Sequence, residues 1–361
     1  MKHALYWVGA AMALANSSTG SAHDVYADDH APIGVMADHA HKKGEVMFSL
    51  RAMHMSMQGN QIGTDSVDPD TIVTTVPNRF AGMPMQPPTL RIVPTEMRAD
   101  MYMLGVMYAP SDAVTLMVMS SYIEKEMDHV TYQGGMGTIR LGTFTTNPKA
   151  LGDTKVSALI PLMGFPAATD DVRDELTLKA GVSIPTGSTD ETAQILTPMG
   201  DTPTVRTPYM MQSGSGTWDL EPALTYKGRR GKLGFGAQAS ASVRLGDNKW
   251  DYRLGDIYEA TGWLSYRAAQ WASLSGRVRG RTTGRVHGID DAIMGPVQTA
   301  NPDFQGGDRV DLIGGVNLVA THGGFAGHRI GIEIGTPIHQ NLNGPQMAAD
   351  WFATVGWQKA F

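Results

Sequence analysis

Nine methionines recur at alternate positions in three short stretches: Met47, Met53, Met55 and Met57; Met101, Met103 and Met107; Met117 and Met119. Thioethers are soft ligands that suit Cu(I) or Ag(I). They are also flexible and polarizable, so such a row can accommodate varied apolar molecules or fill a narrow interior. Just upstream lie His23, Asp24, Asp28, Asp29, His30, Met36, Asp38, His39 and His41. Histidine and carboxylate clusters bind divalent metals, but this spacing matches no specific site, and a plug or an unstructured arm explains it as well. A copper or silver path would take His39, His41, Met53 and Met55 as ligands. A basic row, Arg277, Arg279 and Arg281, follows one parity further on, with Asp219, Glu221, Lys227, Arg244, Glu259, Arg267, Arg309 and Asp311 as company. Such ladders either set anion preference in a pore or pair with carboxylates and brace a wall, and bracing is the preferred reading.

Much other chemistry is excluded. The 361 residues include no cysteine, so thiolate zinc sites, cysteine nucleophiles, iron–sulfur clusters and disulfides are absent. No G-x-S-x-G elbow, H-E-x-x-H, Walker loop or GxGxxG fingerprint occurs, so neither an enzyme nor a cofactor is expected. A formal charge of −6 offers no basic footprint for nucleic acid.

The elements that must position these residues read as strands. Lys2 and His3, the apolar Ala4 to Ala15 and the small Gly20-Ser21-Ala22 form a secretory signal over 1–22. Beyond it no stretch reaches the roughly 18 apolar residues of a membrane helix. Period-two alternation appears instead. Val46, Phe48, Leu50 and Ala52 alternate with Met47, Ser49, Arg51 and Met53, and Leu176 to Ile184 and Leu233 to Val243 repeat the pattern. Twelve such segments are predicted near 45–57, 97–109, 113–125, 153–163, 174–185, 217–227, 232–245, 256–267, 271–282, 308–320, 328–338 and 350–361. Tight turns such as Pro110-Ser111-Asp112 and Gly228 to Gly231 alternate with long Gly/Pro-rich segments at 58–96, 126–152, 186–216 and 283–307. That is the pattern of an all-β, antiparallel transmembrane β-barrel of about 12 strands, with short periplasmic turns and long extracellular loops.

Residues 23–44 are then an N-terminal periplasmic or plug segment, and 45–361 the barrel of a Gram-negative outer membrane. Trp351, Val355, Trp357 and the terminal Phe361 share one face, which suits contact with outer-membrane lipid and recognition by the barrel-assembly machinery. If the apolar parity faces lipid, all nine methionines face the lumen with Arg277, Arg279, Arg281, Glu221 and Asp219.

Three segments carry a family resemblance: Gly152-Asp153-Thr154, Gly181-Val182-Ser183-Ile184-Pro185-Thr186-Gly187-Ser188, and Ser213-Gly214-Ser215-Gly216-Thr217-Trp218-Asp219-Leu220-Glu221-Pro222. Over about residues 150–361 the chain resembles the outer-membrane transporter family named after the meta pathway of phenol degradation, its first third looking like a methionine-rich subgroup. The resemblance implies uptake of aromatic or other hydrophobic small molecules. The preferred expectation is a passive channel for such compounds through a methionine-lined lumen. The alternative is a copper- or silver-handling barrel, with the metal as substrate, and a third possibility is a structural or adhesive barrel.

Overall fold

The structure, a computed structural model, describes residues 26–164 and 172–361. The expected export signal lies outside the described residues. Eleven strands close an antiparallel ring: β1 (Val46–Gly63), β2 (Ile92–Ser111), β3 (Val114–Tyr132), β4 (Thr154–Met163), β5 (Val172–Ile184), β6 (Ala223–Arg230), β7 (Leu233–Leu245), β8 (Ile257–Ala269), β9 (Ala272–Thr283), β10 (Gly307–Val319) and β11 (Arg329–Ala360). A ring with an odd number of strands cannot be antiparallel at every junction. The conflict is removed inside β11, whose first half pairs with β10 (Val319 with Arg329, Gly307 with Leu342) and whose second half returns along β1 (Gly63 with Leu342, Met47 with Ala360). Counted as passes across the wall, the ring therefore has twelve.

Alternation fixes which side chains face outward, because successive residues on a strand point to opposite faces. Phe48, Leu104, Leu116, Val118, Leu264, Leu274, Val278, Leu312, Ile334 and Val355 are exposed, while Met47, Met107, Met117, Glu175, Arg277, Asp311 and Phe352 are buried. An apolar outer face is costly in water and favourable in hydrocarbon. Exposed aromatics fall at two levels. Tyr108, Tyr266 and Trp271 lie beside the short turns; Tyr122, Tyr258 and Trp351 lie further up the wall. Tyr258 and Tyr266 are eight residues apart on β8, about 27 Å of strand or roughly 20 Å of height at the usual barrel tilt, most of a lipid band of roughly 25 Å between aromatic girdles. The chain end closes the seam: Phe361 exchanges backbone hydrogen bonds with Val46, and its ring meets Phe48 edge-on.

Strands β1 to β3 run 18 to 20 residues, against about 10 needed to cross lipid. They project past the membrane on the long-loop side, where the predicted segments stop short because alternation turns polar in water. There the loops pack on one another. Phe80, Ile92, Tyr209, Tyr252, Val286, Ile293 and Val297 make one buried cluster, with Phe144, Ile195 and Trp250 against it. A helix, α1 (Pro69–Thr75), is capped by Asp68, whose carboxylate accepts from the Thr71 amide at 2.9 Å.

The segments that carry the family resemblance converge in space. Asp153 accepts the Gly187 amide at 2.9 Å with one oxygen, and the Ser215 amide and hydroxyl at 2.8 Å with the other. Gly187 and Gly214 approach so closely that a Cβ on Gly187 would lie 2.7 Å from the Gly214 Cα. These glycines let three loop ends knot together where β4, β5 and β6 leave the wall.

Candidate functional site

The methionine row is a set of rungs across β1, β2 and β3. Strand register places Met47 beside Met107 and Met107 beside Met117; Met53 beside Met101; Arg51 beside Met103; Gly105 beside Met119; and Met55 beside Ala99. Met57 pairs with Met97, and Met97 with Met127. Met47, Met103, Met107 and Met117 are buried, and Met53, Met55, Met57, Met101 and Met119 half-buried, all on the parity opposite the exposed Tyr102, Leu104 and Leu116. From the Met47 rung to the Met57 rung is ten residues, about 34 Å along the strand.

At its loop end the row meets a cavity. Met211 packs against Met97 and Met127, with Met57 and Met347 alongside. Met211 also lines a cavity of about 800 Å³ beneath the packed loops, together with Ile92, Phe144, Ile195, Met294 and Val297. Met85 and Met199 belong to the same lining and are largely exposed, so they form its rim. Burial raises the hydroxyl of the neighbouring Tyr209 to about 12, so it stays protonated. Met97, Met127 and Met211 were not among the expected lumen residues. The first two continue the odd parity of their strands at or beyond the predicted ends. Met211 sits in a loop, where alternation gives no signal.

The other end is filled by the N-terminal segment. Every residue from Ala27 to His41 is buried or half-buried, and side chains from all eleven strands reach this stretch. Arg229 pairs with Asp28 at 3.3 Å and with Asp29, and Arg267 pairs with Asp28 at 2.6 Å. Lys227 donates to the Asp29 carbonyl at 3.0 Å, and Arg329 to the Ala27 and Tyr26 carbonyls. Glu333 holds the Gly34 amide at 2.6 Å, Asn317 donates to Ala31 and Gln238 to Met36. Trp263 packs on Ala31 and Val35; Met47, Met107, Met117, Leu159 and Ala360 surround Ala37. The Thr115 hydroxyl accepts from His41, Arg173 lies 3.9 Å from Asp29, and an added Cβ at Gly34 would collide with Arg277. The segment thus lies inside the ring at the short-turn end.

Most of the charged wall is paired. Arg277 and Glu333 form two hydrogen bonds of 2.9 Å. Arg279 is 2.7 Å and Arg309 3.0 Å from Asp311. Arg281 reaches Thr283 at 3.4 Å. Asp219 takes Arg244 and the Thr217 hydroxyl; Glu221 takes Lys155 at 2.7 Å and Ser242 at 2.9 Å. These contacts brace the interior.

His39 and His41 are not brought to Met53 and Met55. They lie in the plug with His30 and Asp38, beside the Met47 rung, whereas Met53 and Met55 are at least six residues higher on β1, about 20 Å away along the strand. Burial alone would raise the Asp38 carboxyl, yet His39, Lys227 and His30 together hold it well below its ordinary value.

A solved outer membrane channel from Pseudomonas putida F1 is similar to this chain, with a TM-score of 0.56 at 12% identity over 91% of this chain and 99% of that one. Weaker matches include the TodX ΔS2S3 mutant, a monoaromatic hydrocarbon channel (TM-score 0.42, 9% identity, 89% and 91% covered), and the NanC porin (0.38, 8%, 86% and 98%). The chain is a Gram-negative outer-membrane protein. No family model matches the sequence, and no curated protein matches it. Among the described residues no helix is long and apolar enough to cross a membrane, and the crossing is made by strands.

Proposed function

We propose that this barrel is a passive outer-membrane channel for small hydrophobic or aromatic compounds. A compound enters the loop-capped cavity, passes down the methionine row and leaves when the N-terminal plug yields. The observation that carries this reading is Met211, which lines the cavity and packs on the top rung of the row. It links the cavity lining to the loop end of the row. The cavity volume, about 800 Å³, falls in the range of small-molecule sites. Methionine suits a path that must release what it binds, because its flexible chain adapts to many shapes without a fixed pocket. The similarity to a bacterial outer membrane channel supports the architecture.

The chemistry of the row is tested by replacing Met53, Met101 and Met103 with leucine. Leucine keeps apolar volume and removes sulfur. Uptake of a hydrophobic tracer by cells is expected to stay within about twofold of the wild type. A loss of tenfold or more would mean that the thioether itself is required, and would overturn the adaptable-lining account.

A further inference from the structure

We propose that the plug holds one divalent transition-metal ion of the zinc, nickel or copper(II) class, bound by His30 and by His39 Nε2, with Asp38 as the carboxylate that orients His39. One ligand atom from each of the three lies within 4.8 Å of the others, and all three side chains are buried. The His30 and His39 rings are 4.0 Å apart, and the His41 ring is 4.8 Å from His39. Asp38 Oδ1 is 2.8 Å from His39 Nδ1. A carboxylate in that place keeps the proton on Nδ1 and turns the lone pair of Nε2 toward a metal. His39 Nε2 is buried without a hydrogen-bond partner, on a side chain only 9% exposed. A buried polar atom in that state is costly, and an ion at the cluster relieves it.

The donor set decides the class of ion. Imidazole and carboxylate suit zinc, nickel and copper(II), whereas Cu(I) and Ag(I) favour the thioethers of the row. Lys227 lies 3.8 Å from Asp38 with Glu175 closer to it, at 3.2 Å, and the buried Arg51 guanidinium also acts on Asp38, so cationic charge near the cluster is only partly balanced. Metal–ligand bonds of about 2.0–2.2 Å in a tetrahedral site put ligand atoms roughly 3.4 Å apart. The two imidazole ligand atoms, at most 4.8 Å apart, therefore need to close in by no more than about 1.4 Å. Ala37 adopts a left-handed conformation, φ 56°, which is unfavourable for a residue with a Cβ and turns the chain so that Asp38 and His39 come back against His30. An ion there closes the loop from 30 to 38. That loop carries Ile33, against Gly331 and Gly356, and Gly34, on Glu333. The metal would keep the plug compact. This proposal stands whether or not the barrel passes hydrophobic compounds.

The test uses the full folded barrel in detergent, without an affinity tag and stripped by chelator. Zinc is titrated by calorimetry, and copper(II) is followed by electron paramagnetic resonance. The expected result is one ion per chain, with nitrogen hyperfine splitting from at least two imidazoles. Affinity should fall about 100-fold or more in H30Q and in H39Q, and about 10–100-fold in D38N, as for loss of an orienting partner. M53L/M55L should bind as the wild type does. Should one histidine variant not fold, the other carries the comparison. Absence of stoichiometric binding in the wild type, equal binding in the folded histidine variants, or loss of binding in M53L/M55L would each overturn the proposal.

Discussion

Asp28→Asn combined with Asp29→Asn is expected to raise single-channel conductance in planar bilayers several-fold, approaching that of a chain lacking residues 26–44. Both carboxylates are buried against Arg229, and Asp28 also holds Arg267. Removing one side of a buried ion pair costs about 3–5 kcal/mol, because the remaining charge stays desolvated. Here the cost falls on the docking of the plug, since the wall keeps its ladder of backbone hydrogen bonds whatever the plug does. A loss of that size moves the plugged-to-open ratio by roughly two to nearly four decades. The double asparagine variant keeps the shape of both side chains, so packing of Trp263 on Ala31 and Val35 is untouched. Wild-type conductance in this variant, alongside a raised value in the deletion, would show that apolar packing rather than charge retains the segment.

Glu333→Ala is expected to destabilise the barrel by about 3–5 kcal/mol in urea unfolding from lipid vesicles. Arg277 is 3% exposed and Glu333 2%, and the two share a bidentate contact. Alanine leaves the guanidinium buried without its partner and removes the acceptor of the Gly34 amide. Arg277→Met with Glu333→Leu removes both charges together and should recover most of the loss, since paired replacement of buried ions by apolar groups is often neutral. If the single and double variants lose the same stability, the pair is not the source of the effect. The Gly34 contact links this site to the plug. A Cβ on Gly34 would collide with Glu333 Oε2, so a larger residue there must displace the carboxylate on which the plug sits.

Most of the wall was legible in the sequence, because a strand facing lipid on one side and a packed interior on the other writes its orientation at every residue. Leu274 and Val278 against Arg277 and Arg279 is an example, and their burial follows that parity. By the same rule the nine methionines share the parity opposite the exposed Tyr102, Leu104 and Leu116. Strand ends were less legible. Val130 and Thr131 continue β3 beyond the membrane, where both faces meet protein or water and alternation fades. The return of β11 on itself, near Leu342, falls in a polar stretch that reads as a loop between two strands. The plug was legible as a cluster of residue types but not as a location. Nothing in the order His30, Asp38, His39 says that Lys227, Arg229 and Arg267, two hundred residues later, surround it. The cavity was least legible: its lining comes from distant loops, and Met211 and Ile293 meet only after the chain has closed the ring.

Passage from the loop cavity along the methionine row is the step we propose, and uptake by whole cells tests it most directly. Intact cells are needed because a plain phospholipid bilayer passes small hydrophobic molecules unaided, whereas a lipopolysaccharide leaflet resists them. Cells making the wild-type barrel should take up a fluorescent aromatic tracer faster than cells without it. Met211→Lys, which sets a charge where the cavity meets the top rung, should remove that advantage at equal amounts of folded barrel. Uptake no faster than in cells lacking the protein, or full uptake in the lysine variant, would contradict the path described here.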